Sequence, residues 1–188
     1  MHRLNWLSRG IALSLLLAFA VQFSACGGSQ IDRAAKASNT IATYTGETIS
    51  IVKTLFETHA INLETKDKLA GLLLKFSQAG KEFNDLVKAA NDQFKSNPVP
   101  ADKWAQITAN FNQLIQLFLQ ITDVIPQAAG LANSKAFKTI TAAVLAIAQI
   151  LMSTAGVPRA TQMTARNAFN EINRRIARCG ISLVGVEI

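Results

Sequence analysis

Two adjacent segments of the chain carry the strongest hydrophobic pattern. In Leu63–Lys95, apolar residues and one glycine recur alternately at four and three positions, with lysines and aspartates on the opposite side. After Asn97–Pro100, which interrupts the pattern, the same spacing continues to a stop at Pro126. This spacing places the apolar side chains on one face of a helix that lies along another helix at a shallow angle. The predicted inner positions are Leu69, Leu73, Phe76, Gly80, Phe83, Val87, Ala90 and Phe94, then Trp104, Ile107, Phe111, Leu114, Phe118, Ile121 and Ile125.

Three further segments, residues 32–58, 134–154 and 158–179, also have helical periodicity. Long amphipathic helices with short connections predict an all-α domain, residues 32–180, folded as an antiparallel up-and-down bundle of four or five helices. A coiled-coil dimer is the alternative, but sustained charge alternation beside the apolar positions is missing. Residues 181–188 are predicted as an extended C-terminal tail. The inner positions expected in the three further helices are Ile41, Tyr44, Ile51, Val52 and Leu55, the apolar run Ile140–Met152, and Phe169, Ile172, Ile176 and Cys179.

Residues 1–25 have the pattern of a secretory signal peptide. Arg3 and Arg9 precede an apolar run, Ile11–Phe23, and small residues follow it. A basic start, a short apolar core and a small-residue exit are typical of export signals. The run is shorter than the roughly 20 residues that cross a bilayer core, which argues against a permanent transmembrane anchor.

The end of this segment, Phe23-Ser24-Ala25-Cys26, resembles the lipobox of bacterial lipoproteins, with Phe23 where an aliphatic residue is usual. The resemblance implies cleavage before Cys26, lipidation of that cysteine and a location on the outer face of a bacterial membrane. In a Gram-negative cell, Gly27 rather than Asp after the cysteine implies passage to the outer membrane. Residues 26–31 would then be a flexible tether. The alternative is cleavage after Gly27, which releases a soluble protein without Cys26.

The chain has two cysteines, too few for a disulfide framework or a cysteine-rich zinc module. If Cys26 is acylated, Cys179 is the remaining thiol, either a small buried hydrophobe or an intermolecular partner. If neither cleavage takes place, a Cys26–Cys179 disulfide could form in an oxidising compartment.

Few residues suit catalysis. Beyond the leader the chain has one histidine, His59, and it lacks the P-loop, GxSxG, GxGxxG, HExxH and CxxC motifs. Glu82 and Asp85 fall on the polar side of their helix among lysines, where a solvated face is favoured over a carboxylate pair that hydrolyses glycosides. We therefore predict no catalytic residues, no metal and no cofactor; a carboxylate-based hydrolase is the alternative.

Two surface features suggest binding. Gln106, Gln113 and Gln120 recur every seven residues with Gln116 nearby, and no charged residue lies between Lys103 and Asp123. Such a face is a candidate protein-contact surface because amides cost less to desolvate than charges. The alternative is a glutamine-rich edge between helices.

The second feature is charge asymmetry. Residues 26–123 contain 10 basic and 10 acidic residues, whereas residues 124–188 contain 7 basic and 2 acidic residues, a net charge of +5. The arginines of the last helix could contact an anionic surface such as lipid headgroups or cell-wall polymer, and an ordinary solvated face is the alternative. Nucleic acid does not fit an exported chain. The candidate contact residues are Arg166, Arg174, Arg175 and Arg178.

The run Ile140–Met152 is apolar on every side, so it is either the central helix of the bundle or a membrane-entering segment. Taken together, the sequence predicts a membrane-tethered extracytoplasmic lipoprotein with a binding or structural role. The alternative function is a membrane-active or envelope-binding protein that uses helix 140–152 and the C-terminal basic patch.

Overall fold

A computed structural model describes residues 30–94 and 98–186 of the chain. Throughout these ranges the ordered elements are helices and no strand is present, which confirms the predicted all-α class. The predicted signal peptide, Cys26 and most of the predicted tether lie outside the described residues.

Within residues 30–94 and 98–186, five long helices occupy the five segments predicted from periodicity. A 3₁₀ turn at Ile125–Gln127 and a single helical turn connect the third long helix to the next. The helices are α1 (Gln30–Glu57), α2 (Leu63–Phe94), α3 (Ala101–Val124), the single turn α4 (Ala129–Ala132), α5 (Lys135–Ser153) and α6 (Arg159–Arg178).

Local polar groups set several of the helix ends. The Asn62 side chain accepts a hydrogen bond from the Thr65 amide at 2.8 Å, and Ser134 accepts one from the Phe137 amide at 3.2 Å, so these residues cap α2 and α5. Pro100 lies one position before α3, with an extended ψ of 156°. Gly180 ends α6 with a φ of +66°, a left-handed conformation that glycine adopts without strain.

The main contacts among the long helices form a closed ring, in which each helix packs against two others. α1 packs against α2 and α5, α3 packs against α2 and α6, and α5 packs against α6. Phe76 lies beside Phe118 and Phe83 beside Phe111, so α2 and α3 run in opposite directions. In contrast, Thr108 contacts Thr161 and Thr122 contacts Arg175, two pairs that are each 53 residues apart, so α3 and α6 run in the same direction.

Phenylalanines from three helices meet at the centre of the core. The ring centroids of Phe76 and Phe118 are 6.0 Å apart, and Phe118 stacks on Phe137 of α5 at the same distance. All predicted inner positions of α2 and α3 are buried except Phe94, which is half-buried and packs against the core. Residues 139–148 of α5 are buried without exception.

The inner face of α1 differs from the predicted stripe. Ile41 and Val52 are buried, but Tyr44, Ile51 and Leu55 are half-buried. Small and hydroxylated residues fill the rest of the face, since each buried hydroxyl donates to a carbonyl of its own helix. The bonds are Ser38 to Ala35 at 2.9 Å, Thr45 to Ile41 at 2.7 Å and Thr48 to Tyr44 at 2.8 Å.

Candidate functional site

A groove of about 310 Å³ lies between α2 and α3 at the predicted amide surface. Its lining comes from both helices, because the antiparallel packing of α2 against α3 brings the polar edges of the two helices together. One residue of the lining is half-buried and apolar, and the others are polar and exposed. The lining residues are Lys75 and Gln78 from α2, and Gln113, Gln116, Leu117 and Gln120 from α3.

Three of the four predicted glutamines therefore meet in one place. Gln113, Gln116 and Gln120 line the groove, whereas Gln106 is exposed outside it, where its side-chain oxygen accepts a hydrogen bond from Lys103 at 3.4 Å. Leu74, which is 66% exposed, lies one turn before Gln78 on the same face of α2. The groove, defined by its six lining residues, is called the amide groove below.

The predicted arginine patch divides into two kinds of residue. Arg175 is 25% exposed and forms ion pairs with Glu171 at 2.9 Å and with Asp123 of α3. It also donates a hydrogen bond to the Leu119 carbonyl oxygen at 3.0 Å. The structure thus places Arg175 in a contact between α6 and α3.

The other three arginines are exposed. Arg174 forms an ion pair with Glu171 on its own helix, and its side chain is 58% exposed. Arg178 lies near Glu171 at the end of α6, and Arg166 lies two turns after the beginning of α6, apart from the others. The four predicted residues therefore do not form one continuous patch.

The charges around Glu171 perturb its proton equilibrium. The hydrogen bond from Arg175, reinforced by the charges of Arg174, Arg175 and Arg178, holds the pKa of Glu171 below its usual value. The same hydrogen bond raises the pKa of Arg175. Glu171 therefore stays ionised and keeps Arg175 oriented towards α3.

Cys179 lies half-buried beside α3. Its Sγ atom is 3.8 Å from the Thr122 carbonyl oxygen, and burial raises the pKa of its thiol. A thiol with a raised pKa has little thiolate at neutral pH, which is the opposite of what a nucleophile needs.

The remaining candidates for chemistry are scattered. His59 is exposed in the turn after α1 with a φ of +59°. Glu82 is exposed on α2 and accepts a hydrogen bond from Gln78 at 3.2 Å, and Asp85 is exposed on the same helix. Among residues 30–94 and 98–186, no group of three or more His, Cys, Asp or Glu side chains is arranged to hold a metal ion.

α5 has the length and composition of a membrane-spanning helix, yet it packs inside the protein. It is 19 residues long, and 72% of its apolar 18-residue segment is buried against other parts of the chain. α5 packs mainly against α1 and α6, and its Phe137 also stacks on Phe118 of α3. Burial on most sides explains why the helix has no polar face.

Comparison of the chain with protein-family models, with curated proteins and with solved structures finds no match. The candidate sites therefore depend on the chemistry and geometry of the chain itself.

The sequence pattern missed the α2 side of the amide groove. Lys75 and Gln78 are separated from Gln113 by 38 and 35 positions in the chain, so only the pairing of α2 with α3 brings them together. That pairing follows from the matching apolar stripes of the two helices, and the residues that flank the stripes could have been aligned across it.

Proposed function

We propose that the chain is an extracytoplasmic lipoprotein, anchored through Cys26, whose up-and-down helical bundle binds a protein partner in the amide groove. The groove carries the proposal, because it is a concave surface that combines one lysine and the amides of four glutamines with accessible apolar area. The closed ring of contacts among the long helices supports the bundle arrangement.

The anchor is supported by the sequence of the leader and by where the helices begin. Cys26 precedes α1, which begins at Gln30, by four positions, and the intervening Gly27-Gly28-Ser29 carries neither charge nor bulk. Such a segment suits a flexible link between an acylated residue and a folded domain. Mass spectrometry of the N-terminus of protein isolated from native membranes tests the anchor: we expect an acylated Cys26, and a chain that begins at Gly28 would contradict it.

The composition of the amide groove favours a protein partner. Leu117 forms the apolar part of the lining, and the exposed Leu74 directly precedes Lys75 in α2. The amides of Gln113, Gln116 and Gln120 both donate and accept hydrogen bonds, so they can pair with backbone groups of a partner without burying a charge. Interface centres are depleted in charged residues for the same reason.

A photo-crosslinking residue in place of Leu117, in native membranes, tests the partner. We expect a discrete adduct, because the side chain at that position lies in the lining of the groove. The same residue in place of Gln93, exposed on α2 outside the groove, is the control and should give no such adduct. An adduct with twice the mass of the chain would identify the partner as a second copy.

Charge variants then test whether partner binding depends on the groove or on the wider surface of the helices. The double variant Gln113→Glu/Gln120→Glu should abolish the adduct, since it places two carboxylates in the lining. The matched double variant Gln93→Glu/Gln106→Glu adds the same charge outside the groove and should preserve the adduct. Equal effects of the two variants, or adducts from position 93 as strong as those from position 117, would contradict the proposal.

Envelope binding is the second candidate function, and the exposed arginines of α6 favour it. The version in which α5 enters a membrane would expose to water the apolar faces of α1 and α6 that α5 covers, at a free-energy cost of about 0.8 kcal/mol per exposed methylene group. A surface contact through exposed arginines requires no such rearrangement.

A further inference from the structure

The first two turns of α6 form a second surface feature, separate from the amide groove. Arg159, Gln162, Met163 and Arg166 line a depression of about 310 Å³. Arg159, Met163 and Arg166 are spaced by four and three residues, so their side chains share one face of the helix. Met163 is 57% exposed, one of the large hydrophobic residues that the fold leaves in solvent.

The two arginines at this depression have no acidic partner in the described chain. The ion pairs of α6 are made by Arg174 and Arg175, further along the helix. Neither Arg159 nor Arg166 forms an ion pair with any residue that the structure describes. Glu171 is the first acidic residue in α6, so the first three turns of the helix carry positive charge alone.

This depression lies at the end of the fold where the described chain begins. Ile31 at the beginning of α1 and Thr154 after α5 line the same narrow cavity. The Val157 amide donates to the Thr154 carbonyl oxygen at 3.3 Å, which turns the chain from the end of α5 directly into α6. The beginnings of α1 and α6 therefore lie at one end of the molecule.

The length of chain before α1 limits how far this end can be from an anchoring membrane. Gln30 lies four positions after Cys26, with three residues between them. A fully extended chain spans at most about 3.6 Å per residue, so the beginning of α1 lies within about 14 Å of an acylated Cys26. Arg166 lies seven residues after Arg159, a rise of about 10 Å along the helix. The end of the molecule that carries both arginines is therefore held close to the headgroup region.

We propose that the first two turns of α6 lie on the membrane that anchors the chain, with Arg159 and Arg166 on anionic lipid headgroups and Met163 in the interfacial layer. The inference rests on the proposed lipidation of Cys26. The contact is a second attachment besides the anchor, and it fixes the orientation of the bundle on the membrane surface. The C-terminal end of α3 and the turn at His59 would then lie away from the bilayer.

The charges of the other residues at this end permit the contact. Asp32 and Lys36 form an ion pair at 3.0 Å, which cancels their charges. Asp102 and Lys103 at the beginning of α3 are adjacent charges of opposite sign. Lys88 and Asp92 near the end of α2 also have opposite signs, and Arg33 at the beginning of α1 is positive. With Arg159 and Arg166, the described residues at this end therefore carry a net positive charge, as attraction to an anionic surface requires.

A fluorescent label in the full processed lipoprotein tests the inference. The label is attached at Met163→Cys in a Cys179→Ser background, and the protein is reconstituted in phosphatidylcholine vesicles, with or without phosphatidylglycerol, that contain nitroxide-labelled lipid. A label at Gln120→Cys, near the C-terminal end of α3 and away from the proposed membrane contact, is the control. We expect strong quenching at position 163 in the anionic vesicles, weaker quenching without phosphatidylglycerol, and none at position 120.

Charge variants identify the cause of the quenching. Arg159→Glu/Arg166→Glu should lower the equilibrium constant for the contact of position 163 with the membrane on the order of tenfold or more, and quenching should fall with it. The reason is that two attractive charges become repulsive. Lys68→Glu/Lys135→Glu makes the same change of charge at the opposite end and should leave quenching intact. Circular dichroism of both variants checks that the helices are retained. In about 1 M salt, where the screening length is about 3 Å, quenching at position 163 should also decrease.

Two results would overturn the inference, and they are distinguishable. Quenching at position 163 that does not exceed that at position 120, in a chain shown to be acylated at Cys26, contradicts the surface contact but leaves the anchor intact. A chain that carries no acyl group contradicts the anchor and removes the basis of the contact with it.

Discussion

The guanidinium of Arg175 on α6 donates a hydrogen bond to the Leu119 carbonyl oxygen on α3 at 3.0 Å. The same side chain forms ion pairs with Asp123 on α3 and with Glu171 one turn earlier on α6. These contacts connect two helices that run in the same direction and are 56 residues apart in the chain at this point. The planar guanidinium suits this arrangement because its several N–H groups point in fixed directions.

Replacing Arg175 should destabilise the fold. Arg175→Gln should lower the free energy of unfolding by about 1–2 kcal/mol, since hydrogen bonds to a charged group and partly buried ion pairs are lost together. Urea unfolding followed by circular dichroism measures the change. The matched variant Arg174→Gln removes an arginine whose single ion pair is exposed within α6, and should cost less than about 0.5 kcal/mol. Equal losses for the two variants would contradict the assigned role.

The stability supplied by Glu171 should depend on pH. Its pKa is lower in the folded chain than the ordinary value of 4.5, because Arg175 and the neighbouring arginines favour the ionised form. A lowered pKa stabilises the fold above the ordinary value, and this stabilisation is lost as the pH falls through the folded pKa. The difference in unfolding free energy between the wild type and Glu171→Gln should therefore be constant near neutrality and shrink below about pH 4.5. Urea titrations across this range provide the measurement, and a difference that grows on acidification would contradict the sign.

Two glycines on α2 should respond in opposite directions to substitution. A Cβ atom at Gly71 meets nothing within 4 Å, so Gly71→Ala should raise the unfolding free energy by about 0.5–1 kcal/mol through its higher helix propensity. A Cβ atom at Gly80 lies 3.1 Å from Ile41 Cγ2 and 3.9 Å from Leu114 Cδ1. Gly80→Leu should therefore lower the unfolding free energy by about 1–3 kcal/mol through overpacking. Thermal and urea unfolding of both variants provides the comparison, and a stabilising Gly80→Leu would show that the three helices do not meet there.

Cys179 should react slowly in the folded protein. Burial raises the pKa of its thiol, and its Sγ atom lies against the Thr122 carbonyl oxygen. Alkylation by iodoacetamide at mildly alkaline pH should be several-fold slower in buffer than in urea, because the thiolate is the reacting form. Peptide mapping by mass spectrometry follows Cys179 separately from Cys26. Rapid alkylation in buffer would indicate an activated thiol and reopen a chemical role for this residue.

Periodicity predicted the inner faces of α2 and α3 well because large apolar residues dominate them. From Leu69 to Ala90 and from Trp104 to Ile125, every predicted inner position is buried. The prediction was less complete for α1, where Thr45 and Thr48 are fully buried. A threonine hydroxyl that donates to its own helix hides its polarity, so a hydrophobicity pattern classes the residue as exposed.

The candidate sites were predicted only on single helices. Seven-residue spacing identified Gln113 and Gln120 as neighbours, but spacing within α3 could not indicate that Gln78 of α2 completes the groove. Arg175 was expected at an anionic surface, and its distance of 52 residues from Asp123 concealed their ion pair. The positive charge of Arg159 was counted, whereas its place beside Met163 at the beginning of α6 had no particular meaning until the ends of the bundle were known.

The sequence by itself determined the all-α class, the five long helices and the face that each of α2 and α3 turns inwards. These properties depend on residues within a few turns of one another, where a period of 3.6 residues relates position in the chain directly to direction in space. Only the tertiary structure decided which helices are neighbours, that α3 and α6 run in the same direction, and which polar residues are shared between them. Those relationships join residues 35 or more positions apart, and they depend on how whole faces fit together, which no local pattern records.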